Sequence, residues 1–221
     1  LKKLDIKYII MSNLWTFGDS FTEGFNEKYP WADEYIKWKG YTPKVYGEIL
    51  SEKLNVKLIN KGKGGTDNYT IFETICNSTK SINDDDIIII GWSSPVRFRL
   101  AQFNNTWRIF LPNSIKFHSG EFQMNLSDNT PTEIMLNRNS LLYVNEVNNW
   151  IELLNRTFKC NKIIHWSPLM EGVDGMYLHL FNRIKTETNE DVNNGHYGEK
   201  GHIELSNIFF EKIKSNKNKL I

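Results

Sequence analysis

The sequence predicts an α/β protein, a three-layer α/β/α sandwich around a mostly parallel sheet of about five strands. Short apolar runs alternate with amphipathic stretches at helical spacing along most of the chain. One run, residues 87–90, is four consecutive isoleucines, the pattern of a strand buried on both faces as in a parallel sheet. The length of 221 residues suits one such domain with a real core and is short for two.

Taken in order, residues 14–17 read as a buried strand that ends in Gly18, Asp19 and Ser20. Thr42 followed by Pro43 reads as a helix cap with proline at the first helical position. Val45, Ile49, Leu50 and Leu54 then share one face of that helix, and residues 56–59 form a second strand. Phe72, Ile75, Cys76 and Thr79 recur at helical spacing. The acidic run 84–86 reads as a polar turn before the isoleucine strand. Tyr143, Val147, Trp150, Ile151, Leu154 and Phe158 trace one face of a long helix, residues 162–166 a fourth strand, and residues 203–213 a closing helix.

From about 104 to 139 this rhythm breaks. The stretch is rich in Asn, Ser and Thr and carries Trp107, Phe110, Phe117 and Phe122, which reads as an inserted hairpin or lid. The single domain is expected over 11–215, with 1–10 as an extension ahead of Met11 and a tail that frays from Ser215.

Composition narrows the classes of partner. The net charge is +1, from 27 basic and 26 acidic residues, which gives no electrostatic case for nucleic acid or an anionic membrane. No run approaches the roughly 18 apolar residues of a membrane span. The opening LKKLDIKYIIMSN is basic, but its apolar run is too short for a signal peptide. Cys76 and Cys160 lack CxxC spacing, so they are expected as buried small side chains or free thiols. The default expectation is a cytoplasmic, reducing compartment, with the oligomeric state open.

In an open parallel sheet, ligands sit beyond the carboxyl ends of the strands. Four segments fall there: Ser20 after the first strand, NKGKGGTDN (60–68), GWSSPVR (91–97), and NNGHYGEKGH (193–202) before the last helix. A serine nucleophile needs a base to take its proton, and an acyl transfer needs donors where negative charge develops. The bland readings are a helix-capping serine for Ser20, a loop histidine for His196, and a tight turn for Gly64–Gly65.

Together, from Trp15 to about Phe210, these blocks resemble the SGNH, or GDSL-like, hydrolase family of esterases and acylhydrolases. The resemblance implies a flavodoxin-like sheet, Ser20 as nucleophile and His196 as base, with no cofactor. It also implies an oxyanion hole made by the Ser20 and Gly65 N–H groups, with Gly64 as a close rival. Two departures stand out. Ser93 takes the place of the family's side-chain amide donor, where Ser94 or Asn68 would compensate. Asn193 takes the place of the aspartate that orients the histidine, with Asp191 and then Asn194 as rivals, or a backbone carbonyl instead. An asparagine can fix the imidazole tautomer but cannot stabilise the imidazolium by charge.

Asn68, Arg97 and Trp92 are the candidate substrate-binding residues, Arg97 for a carboxylate or sugar hydroxyl at the pocket mouth or else as a solvated surface arginine. Trp31, Trp38 and Tyr41, in what reads as a long loop, are expected to wall the same cleft. Trp107, Phe110 and Phe117 suit stacking on sugars or packing within a hairpin. A metal reading of His196 and His202, with Glu199 between them, places the two imidazoles poorly on one helix and has no evident third ligand. His202 reads as a supporting or helix-start residue. The implied activity is metal-free hydrolysis of a small acyl ester such as acetyl, on a carbohydrate or similar polar substrate. The alternatives are a non-catalytic binding or structural module on the same fold, and an acyltransferase.

Overall fold

Along a strand, successive side chains point to opposite faces, so the sequence of each central strand decides which helices cover it. The computed structural model describes residues 12–95, 97–101, 107–110, 140–158, 162–178 and 195–217. Strands β1 (Asn13–Phe17), β2 (Lys57–Asn60), β3 (Ile87–Gly91), β6 (Ile163–Ser167) and β7 (Met176–Tyr177) form one sheet. Its order is β2-β1-β3-β6-β7, and every pairing is parallel. This is the doubly wound, flavodoxin-like order, with its topological switch point between β1 and β3. A separate antiparallel hairpin joins β4 (Phe98–Ala101) to β5 (Trp107–Phe110). The rest of the 104–139 insertion, the 1–10 extension and the last four residues lie outside the described residues.

The helices are α1 (Ser20–Glu23), α2 (Pro30–Lys39), α3 (Tyr46–Leu54), α4 (Asn68–Ser78), α5 (Ser140–Thr157) and α6 (Glu199–Lys217). Trp15, Phe17, Ile88 and Ile90 face one side of the sheet, where Ile71 and Ile75 of α4 and Val147, Ile151 and Leu154 of α5 close over them. Leu14, Ile87, Ile89, Ile164 and Trp166 face the other side, against Tyr46 and Leu50 of α3 and Leu205, Phe209 and Ile213 of α6. Each isoleucine of β3 is at most 3% exposed. Burying a side chain of that size is worth roughly 1.5–3 kcal/mol, so β3 anchors both layers.

Local details differ from the sequence expectations for identifiable reasons. Helix α3 starts at Tyr46, not after Pro43, because Glu48 Oε2 accepts the Val45 N–H at 2.9 Å and places the cap there. The stretch expected as a long loop after Gly24 contains the ten-residue α2. Pro30 opens it, and Gly40, in the left-handed region at φ 77°, closes it with an N–H to Ile36 O at 2.8 Å. Cys76 is exposed as a free thiol, and Ile71 and Ile75 make the buried stripe of α4. Cys160 lies outside the described residues. Ile203, read as the first apolar contact of the closing helix, is 42% exposed; α6 starts four residues earlier.

Asp86 does more than terminate a turn. It is buried and accepts from Asn13 N, Asn13 Nδ2, Trp15 Nε1 and Asn83 N at 2.7–3.1 Å. Burial alone would push its pKa up; the hydrogen bonds outweigh this and hold it below the ordinary value. No helix among the described residues is long and apolar enough to cross a membrane.

Candidate active site

The site forms at the carboxyl ends of β1, β2 and β3, at the switch point of the sheet. After β1, Asp19 caps α1. Its Oδ1 accepts the Phe21 N–H at 3.0 Å and its carbonyl accepts those of Thr22 and Glu23 at 2.9 Å. Ser20 thus occupies the first helical position, where the backbone N–H has no intrahelical acceptor.

The Ser20 Oγ lies 2.8 Å from His196 Nε2, across 176 residues of chain. Trp31 stacks on the imidazole at 3.9 Å between centroids and 8° between planes, and Phe21 packs against it at 4.9 Å and 26°. Burial pushes the His196 pKa down to about 4; the Asp19 carboxylate pulls it up and the Arg97 guanidinium pulls it down. The ring is therefore neutral at pH 7. With its proton on Nδ1, its Nε2 can accept the serine proton. Asn193, Asp191 and Asn194, the candidates for orienting this ring, lie outside the described residues.

The loop after β2 is stitched to α1. Asn60 Nδ2 donates to Thr22 O at 2.9 Å and to Glu23 O at 3.2 Å, and Lys63 N to Gly18 O at 3.0 Å. A Cβ on Gly62 would lie 2.6 Å from Glu23 N, so only glycine permits this approach. The two rival donors separate here. Gly64 N–H is taken by Glu23 Oε2 at 2.5 Å, whereas Gly65 N–H has no acceptor among the described residues. Gly65 adopts φ 77°, with open space on its Cβ side.

After β3, the Ser93 Oγ donates to Asp19 Oδ2 at 2.7 Å. One nitrogen of Arg97, Nη1, reaches Asp19 Oδ2 and Ser93 Oγ, each at 2.7 Å, and Thr66 O at 3.1 Å. Arg97 is accordingly not a solvated surface residue: its side chain is 13% exposed and paired with a buried carboxylate. Asn68 is fully buried and exchanges bonds with the Ser93 backbone, Nδ2 to O at 3.0 Å and Oδ1 from N at 2.5 Å. Its amide ties α4 to the end of β3, spending one of its two Nδ2 hydrogens on the Ser93 carbonyl.

Trp92 corrects the expectation of a substrate contact. It continues the alternation of β3 into the core, is fully buried, and donates its Nε1 to His165 Nδ1 at 3.3 Å. His202 is also interior. Its Nδ1 accepts Tyr46 N at 3.4 Å, and burial pushes its pKa down to about 3. Glu199 instead accepts Lys39 Nζ at 2.8 Å and the Tyr41 hydroxyl. Among the described residues, no three His, Cys, Asp or Glu side chains stand together as a metal site.

Of the aromatics expected to wall the cleft, Trp31 reaches His196. Trp38 and Tyr41 are exposed around Lys39, whose Nζ lies 5.3 and 6.0 Å from their ring centroids. The side chains of Trp107 and Phe110, and the whole of residues 117 and 122, are outside the described residues. Sequence reading missed Asp19 as the hub of the site. Its signal was its position between strand and helix, where an acidic cap has a second oxygen to spare.

A serine–histidine pair at the switch point of a doubly wound sheet defines the class of site. No family model and no curated protein matches the chain. Among solved structures it is similar to a member of the lipolytic protein G-D-S-L family from Veillonella parvula DSM 2008. The identity is 14%, over 90% of this chain and 97% of that one, with a TM-score of 0.45. A second is a putative lipolytic protein of the G-D-S-L family from Desulfitobacterium hafniense DCB-2, at 12% identity over 91% and 99% of the chains, TM-score 0.38. A third is a carbohydrate esterase whose active site is described as having divergent catalytic and non-catalytic binding functions, at 12% identity over 92% and 68%, TM-score 0.43. The chemistry below rests on the side chains of this chain.

Proposed function

We propose that the protein is a serine esterase that hydrolyses a small acyl ester, such as acetyl, on a carbohydrate or similar polar substrate. The observation that carries this reading is the 2.8 Å contact between Ser20 Oγ and a neutral, part-buried His196. Ser20 Oγ attacks the acyl carbon as its proton passes to His196 Nε2. The carbonyl oxygen becomes an oxyanion that accepts from the N–H groups of Ser20 and Gly65. As the tetrahedral species collapses, the ester C–O bond breaks and His196 returns the proton to the leaving alkoxide. Water then attacks the acyl-serine, with His196 again taking and returning a proton, and the acid leaves as its carboxylate.

The preference for a polar, sugar-like alcohol draws on two exposed amphipathic aromatics, Trp38 on the helix that carries Trp31 and Tyr41 just past its end. Hydrolysis of p-nitrophenyl acetate by the wild type and by Ser20→Ala tests the core of the reading. The variant is expected to lose at least about 10³-fold in kcat; equal turnover in both would overturn it. One observation favours a second reading, a non-catalytic module: Ser93, in the amide's place, has its hydroxyl committed to Asp19. A fluorophosphonate that labels Ser20 in folded protein excludes that alternative.

A further inference from the structure

The commitment of Ser93 raises the question of what replaces the missing amide donor. Ser93 has one hydroxyl proton, and it is spent on Asp19 Oδ2 at 2.7 Å, while its oxygen accepts from Arg97 Nη1 at the same distance. The hydroxyl is therefore a link between two charged groups. Arg97 has the opposite balance. Its Nη1 carries two hydrogens and has three acceptors in reach. Its Nε–H and the two hydrogens of Nη2 have no acceptor among the described residues.

The three anchors of Nη1 locate the guanidinium. Asp19 immediately precedes Ser20, Thr66 immediately follows Gly65, and Ser93 occupies the amide's place. Arg97 is thus bonded to each segment that borders the position of the oxyanion. The same corner contains a buried hydroxyl, Thr66 Oγ1, with no partner among the described residues. Charge supports the placement. An uncompensated Asp19 carboxylate one residue from the nucleophile would oppose the developing oxyanion, and Arg97 cancels it while keeping donors to spare.

We propose that Arg97 is the third oxyanion donor, its guanidinium standing in for a side-chain amide, with Asp19 and Ser93 holding it in position. The proposal rests on the esterase reading above. In the transition state the oxyanion accepts from Ser20 N–H, Gly65 N–H and the unspent edge of Arg97, which stays protonated throughout.

The test compares wild type, Arg97→Met, Ser93→Ala and the double variant Asp19→Asn/Arg97→Met on p-nitrophenyl acetate and p-nitrophenyl hemisuccinate, with folding followed by circular dichroism. Ser20→Ala turnover equal to wild type would defeat the esterase reading itself and is scored first. The double variant leaves no unpaired buried carboxylate, so it covers the case in which Arg97→Met alone does not fold. Removal of Arg97, alone or in the double variant, is expected to lower kcat about 10²- to 10³-fold on both esters with KM little changed. Ser93→Ala is expected to lower it less than about tenfold. A trifluoromethyl ketone, whose adduct with Ser20 bears an oxyanion, should lose affinity by the same factor as kcat. Three results would overturn the proposal: wild-type kcat in the double variant, so that Arg97 only neutralises Asp19; a loss confined to the hemisuccinate, so that Arg97 binds a substrate carboxylate; or a Ser93→Ala loss as large as that of Arg97→Met.

Discussion

The imidazole of His196 sits face to face with the Trp31 indole, one of the walls that shield it from water, and that shielding sets the protonation state on which the proposed chemistry depends. Desolvation is the largest influence on its pKa, which lies at about 4. A base with that pKa remains neutral down to mildly acidic pH, so kcat/KM is expected to fall only as the pH drops through about 4. Trp31→Ala removes one wall of the ring, admits water, and should move this acid limb upward toward the ordinary histidine value near 6.5. A pH–rate profile from 3.5 to 8 on both proteins decides it; an unmoved limb would show that Phe21 and the protein floor suffice. Ser20 and His196, which the structure brings within 2.8 Å, could be picked out as a candidate pair because acyl transfer needs specific groups. The part of Asp19 could not be, since a capping aspartate reads the same whether or not its second oxygen is used.

At the scale of elements, the central strands were legible because their burial is decided by composition alone. Four isoleucines in a row suit a strand covered on both faces, and little else. The helix starts were less so: Thr42 and Pro43 formed a plausible start signal, yet the Glu48 carboxylate caps three residues later. Helix α2 was hidden because its interior contacts are Ala32 and Tyr35, a narrow stripe among exposed aromatic and charged residues. Asp86 makes an element-scale prediction. It joins the start of β1 to the turn before β3 through four hydrogen bonds and is itself 1% exposed. Asp86→Ala leaves buried donors without acceptors and is expected to cost about 2–4 kcal/mol, read as a lowered urea midpoint with an unchanged slope. A midpoint within error of wild type would show that water replaces the carboxylate at no cost.

At the scale of the whole molecule, three histidines among the described residues are held in their neutral form, His165 and His202 buried and His196 part-buried. Desolvation is the largest influence on each, with pKa values of about 4 for His165 and His196 and about 3 for His202. In the unfolded chain each titrates near 6.5. Between pH 6.5 and about 4 the unfolded state therefore binds protons that the folded state does not, and stability falls as the pH falls. The slope is up to about 1.4 kcal/mol per pH unit for each histidine. Urea midpoints are expected to decline steadily from pH 7 to 4.5; a flat series would contradict the burial of these rings.

What the sequence by itself determined is the alternation of buried strands and helices, and with it the sheet whose switch point gathers the ends of β1, β2 and β3. These follow from hydrophobic periodicity, a local property carried by neighbouring residues. Only the tertiary structure decided how the site is wired. It spends the Gly64 N–H on Glu23 and leaves that of Gly65, turns Trp92 inward, commits Asn68 and Ser93, and brings Arg97 onto Asp19 across 78 residues. Those outcomes depend on which donors and acceptors meet between distant segments, and the competition among them is settled only when the strands are packed side by side.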